Sequence, residues 1–68
     1  MKTKAELKVE VANMVAAKAS ARNIPLDSRS QSWIVNTLLA DIACKFSESR
    51  IQRHMNSMLT RVKTEVRG

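Results

Sequence analysis

Sixty-eight residues with a net charge of +6 and a sequence pI near 10.3 make one small, strongly basic domain, 1–68. A single glycine, a single proline and only two aromatic residues, Trp33 and Phe46, leave neither the turn chemistry of an all-β fold nor a glycine-rich phosphate loop. The apolar runs are far short of the roughly 20 residues that cross a bilayer, and Glu6, Lys8 and Glu10 stand where a signal peptide would be apolar, so a soluble cytoplasmic chain without membrane contact is expected.

The first helix is predicted from Thr3, because Thr3-Lys4-Ala5-Glu6 matches a capping box. Leu7, Val11, Met14 and Val15 form its apolar stripe, and five alanines between positions 12 and 21 favour helix and close approach of a neighbour. Lys18 and Arg22 continue the angular course of that stripe. Either burial ends near Val15 or these side chains run along apolar surface. Lys4 and Lys8 are a like-charged i,i+4 pair, which adds nothing to helix stability.

Ile24-Pro25 ends the helix, since the residue before proline is pushed out of the α region. Ile24 and Leu26 are expected to pin the loop 23–27 to the core. Asp27 or Ser28 then caps a second helix, with Ser28-Arg29-Ser30-Gln31 as a further capping box. Its stripe is Val35, Leu38, Leu39, Ile42, Ala43 and Phe46. A second stripe, Ile51, Met55, Met58, Leu59, Val62 and Val66, is out of phase with it, which predicts a break at Ser47-Glu48-Ser49. The expected fold is an all-α three-helix bundle with helices near 3–22, 28–46 and 48–66. The rival is a helical hairpin whose long second helix dimerises. Trp33, Ile34, Leu59 and Val66 exceed what a three-helix centre needs, so they are the candidate partner interface of a homodimer or of an unidentified protein partner.

Nothing here supports catalysis, a cofactor or a metal. His54 is the only histidine and has no acid at helical spacing, and the serines read as caps and surface positions. Cys44, the only cysteine, is expected to be a small buried or half-buried apolar residue in a reducing setting. Met14, Met55 and Met58 lie on the stripes and read as core.

Charge is the most suggestive property. It is +3 over residues 1–23, −1 over 24–49 and +4 over 50–68. A basic domain of this size suits a polyanion, whose counterions are released on binding. Residues 41–55 also resemble a DNA-binding helix–turn–helix: Ile42-Ala43, then Phe46, then Ser47-Glu48-Ser49 at the turn, then Ile51 among basic and amide side chains. Two departures stand out: the spacing from Ala43 to Ile51 is about two residues short of the usual pattern, and no glycine marks the turn. The resemblance implies that the third helix presents Arg50, Gln52, Arg53, Asn56 and Ser57. Arg61, Lys63 and Arg67 would meet phosphates, and Lys4, Lys8, Lys18 and Arg22 would widen the footprint. Nucleic acid, DNA before RNA, is thus the expected partner of a non-enzymatic regulator. The alternative is a protein-binding helical module using its apolar faces.

Overall fold

The computed structural model describes residues 2–67, and side chains as far as Glu65. Three helices follow one another: α1, Lys4–Ala21; α2, Ser28–Ala43; and α3, Glu48–Arg67. Among the described residues there is no strand, and no helix is long and apolar enough to cross a membrane. The break at residues 44–47 removes the long-helix rival.

Each helix begins where a local side chain can satisfy its free N–H groups. Thr3 caps α1 in a complete capping box, its Oγ1 accepting from the Glu6 backbone N–H at 3.2 Å. α2 is capped by Asp27, whose Oδ1 accepts from the Ser30 N–H at 2.7 Å; this takes precedence over the box expected at Ser28. Ser47 Oγ accepts from the Arg50 N–H at 3.3 Å, so α3 is capped two residues before the box expected at Ser49.

Both interhelical turns use the same backbone device. Asn23 and Lys45 have φ of 55° and 60°. At each, the following residue bonds back five positions: Ile24 N–H donates to Ala19 O at 2.9 Å and Phe46 N–H to Asp41 O at 3.2 Å. The left-handed residue itself closes the inner bond, Asn23 to Ser20 at 3.1 Å and Lys45 to Ile42 at 2.9 Å. These are Schellman motifs, and they stop α2 at Ala43 rather than at Phe46 as the apolar pattern suggested.

α2 is the central element, packing against both α1 and α3, which meet each other less extensively. The core is Val11, Val15 and Ala19 of α1, Ile24 of the loop, Ile34, Val35 and Leu38 of α2, and Met55, Met58, Leu59 and Val62 of α3. Leu26 packs against it, so the loop is pinned as expected. Two residues assigned to a partner interface are corrected here: Ile34 and Leu59 are both 0% exposed, at the centre of this chain's own core. A helix flanked on two sides buries a wider arc than a single stripe, and Ile34 falls within that arc. Phe46, expected in the core, lies half-buried outside the central cluster, because the Schellman turn carries it off the α2 face. Cys44 is exposed as the C-cap of α2 rather than buried.

Candidate nucleic-acid interface

The start of α3 and the end of α1 bring basic side chains together. One surface depression is lined by Phe46, Ser47, Ser49, Arg50, Arg53, His54 and Ser57. A second is lined by Lys18, Ala21, Arg22, Arg53, Asn56, Ser57 and Thr60. Arg53 and Ser57 belong to both, so the two adjoin along α3, and neither has a carboxylate among its lining residues. Arg22 ties the end of α1 to α3. Its Nη1 donates to Asn56 O at 3.1 Å and its Nη2 to Thr60 Oγ1 at 2.9 Å, while Thr60 Oγ1 donates to Asn56 O at 3.0 Å. Burial continues past Val15 to Ala19 and Ile24, so Lys18 and Arg22, both half-buried, run their stems along apolar surface.

The remaining sequence-predicted contacts are dispersed. Gln52 turns inward and its Nε2 donates to Met14 Sδ at 3.4 Å, which takes the amide away from the exposed face. Asn56 is half-buried, with its backbone carbonyl engaged by Arg22. Arg61 is exposed and pairs with Glu65 at 3.7 Å, and Lys63 is exposed. Lys4 is exposed in the first turn of α1, and Lys8 lines a separate depression with Ser28, Gln31 and Ser32. At 1.5 Å per residue, about 21 Å of helix separates Lys8 from Arg22, so Lys4 and Lys8 do not form one footprint with α3. The side chains of Arg67 and Val66 lie outside those described. Of the four candidate interface residues, Trp33 alone is both described and exposed, at 41%.

Sequence reasoning missed one pairing. Asp41 is 7% exposed, and its Oδ2 accepts from Nδ1 of His54 at 2.5 Å. A carboxylate oxygen accepts, so Nδ1 carries the hydrogen and Nε2 is the nitrogen left for the depression that His54 lines. The acid that orients His54 lies on the preceding helix, across the turn, and not at helical spacing. A signal was present: on a helical wheel Asp41 falls on the apolar side of α2, and a carboxylate placed there needs a partner. Among the described residues no hydroxyl is bonded to His54. Nor, among those residues, do three or more His, Cys, Asp or Glu side chains gather where they would hold a metal.

No protein-family model, no curated protein and no solved structure matches this chain.

Proposed function

We propose that this chain is a non-enzymatic, cytoplasmic nucleic-acid-binding protein, with DNA as the first candidate, and that it contacts phosphates with Lys18, Arg22, Arg50 and Arg53. The observation that carries the reading is the adjoining pair of depressions, which share Arg53 and Ser57 and are lined by four basic side chains, Lys18, Arg22, Arg50 and Arg53, with no carboxylate among the lining residues. Arginine suits this task because its planar fork presents several N–H donors to phosphate oxygens. Gln52 turns inward, which leaves Arg50 and Arg53, both exposed, and the half-buried Asn56 side chain to meet base edges. The homodimer expected from surplus apolar face has lost Ile34 and Leu59 to the core, so phosphate contact is assigned to a single chain.

The test is a titration of labelled duplex and single-stranded oligonucleotides at several salt concentrations. About four phosphate contacts give a log–log slope near −3 to −4, at roughly −0.7 to −0.9 per contact. Arg53→Gln should weaken binding and flatten the slope by about one contact. Absence of binding to both forms at about 50 mM salt overturns the reading, and leaves the alternative of a protein partner docking on the exposed Trp33.

A further inference from the structure

Three side-chain pairs run in order along the α2–α3 side of the molecule, the first within the interhelical turn and the other two across the seam. At the start of α3, the Arg50 guanidinium lies over the Phe46 ring, 4.1 Å from its centroid. Next, His54 meets Asp41 at 2.5 Å. Toward the far end, the Arg61 guanidinium lies over the Trp33 ring, 5.9 Å from its centroid. Antiparallel packing sets this order: as α3 advances through 50, 54 and 61, its partners step back through 46, 41 and 33. Arg50, His54 and Arg61 are separated by four and seven residues, the spacing that keeps side chains on one helix face. Ser57, exposed, stands between the last two. One side of the molecule therefore carries both of the chain's aromatic residues and its only histidine, each beside or within a row of cationic side chains.

Burial does not explain this placement. Trp33 is 41% exposed and Phe46 half-buried, and neither belongs to the core cluster. Each ring is accompanied by an arginine whose charge remains at the surface. Alternating ring faces and guanidinium groups are what an unpaired strand requires: bases stack on rings or on guanidinium planes, and phosphates pair with the positive charge. From Arg50 to Arg61 the helix rises about 16 Å, which suits a short stretch of strand near the lower end of the site sizes of about 4–16 nucleotides known for stacking grooves.

We infer that the α2–α3 seam binds single-stranded nucleic acid, one base stacking on Trp33 beside Arg61 and another on Phe46 beside Arg50. This rests on the nucleic-acid reading above and narrows it from any polyanion to an unpaired strand. Asp41 is a positioning residue: by holding Nδ1 it fixes the His54 ring between the two stacks with Nε2 outward. Glu65 opposes binding, because it lines the Trp33 end and shares Arg61.

Trp33 is the only tryptophan and the chain has no tyrosine, so its emission reports on the site directly. The full chain is titrated with labelled dT12, with U12 of the same length and with a 12-base-pair duplex, following label anisotropy and Trp33 emission together. The expected result is quenching of Trp33 by a single strand that binds at least several-fold more tightly than the duplex. Trp33→Leu should lose roughly tenfold or more in single-strand affinity, and Arg61→Gln should lose affinity with helix content unchanged, which guards against a folding defect. Glu65→Gln should gain affinity. Binding with unchanged Trp33 emission, equal affinity for the duplex, or wild-type affinity in both the Trp33→Leu and Arg61→Gln variants overturns the single-strand site and leaves the broader reading standing. Failure of every oligonucleotide to bind overturns both.

Discussion

α3 has two polar edges, and arginine does opposite work on them. On the edge facing α1, Arg22 donates from both terminal nitrogens to Asn56 O and Thr60 Oγ1, and Gln52 reaches Met14. Those two contacts hold α1 and α3 together where the helices otherwise touch little, so Arg22 offers a phosphate only its remaining N–H groups and its charge. On the edge facing α2, Arg50 and Arg61 lie over rings instead. A ring face attracts the cation without consuming its N–H groups, so the Arg50 donors remain available to a ligand, as do those of Arg61 other than the Nε that pairs with Glu65. The same residue type is therefore a fastening on one edge and a contact surface on the other. The neighbour decides which.

The strongest test of this division removes what both edges rest on. Leu59 is 0% exposed at the middle of α3. Leu59→Ala should cost about 2–5 kcal/mol in urea unfolding, through lost burial and the cavity left behind. A cost below about 1 kcal/mol would mean that α3 is held chiefly by its polar edges. A finer test sets the two kinds of arginine against each other. Arg22→Ala should lower stability by about 1–2 kcal/mol, since two charge-assisted hydrogen bonds go with it. Arg61→Ala should change stability by less than about 0.5 kcal/mol, because its exposed pairing with Glu65 contributes little. Equal losses would erase the distinction between the edges.

Much of the fold was legible because its decisive signals are local. Thr3 and Glu6, and the proline at position 25, act within a few residues of themselves, and the phase slip between the two stripes marked the second turn. Ile34 and Leu59 were misplaced because the width of a buried arc depends on how many neighbours a helix has, which no single stripe reports. The candidate site was legible as a set of basic residues and not as a geometry. That Arg22 would be tied down and Arg50 left available follows from how α1 meets α3, a tertiary matter. Asp41 and His54 lie 13 residues apart across a turn, beyond any helical spacing rule.

The two turns offer a smaller contrast that bears on the binding edge. Asn23 suits a positive φ, since its short polar side chain tolerates the left-handed region; Lys45, at 60°, has no such aid. Lys45→Gly should stabilise the chain by about 0.5–1 kcal/mol, net of glycine's greater unfolded-state freedom, whereas Asn23→Gly should be near neutral. Thermal unfolding of both variants reads the difference. A destabilised Lys45→Gly would show that the lysine side chain itself contributes to the turn that positions Phe46.

The smallest effect concerns the other end of the binding edge, where Asp27 caps the helix that carries Trp33. The Ser30 backbone N–H, donating to its carboxylate at 2.7 Å, holds the Asp27 pKa below the ordinary value of 3.8, and Arg29 adds to the lowering. A depressed folded-state pKa means that the unfolded chain takes up the proton first. The cap's contribution is therefore fully present above the ordinary carboxylate value and is lost as pH falls below it through the folded-state value. Asp27→Asn keeps an oxygen acceptor for Ser30 but does not titrate. Below about pH 4 the wild type should lose stability relative to this variant, beyond the losses that the shared carboxylates impose on both, while above pH 5 the stability difference should stay constant. Trp33, six residues into α2 and exposed, should report the fraying of that first turn as an emission change in the wild type at acid pH. An identical acid response in the two proteins would mean that the cap is neutral to the charge it carries, and that the Trp33 end of the edge is held by the core alone.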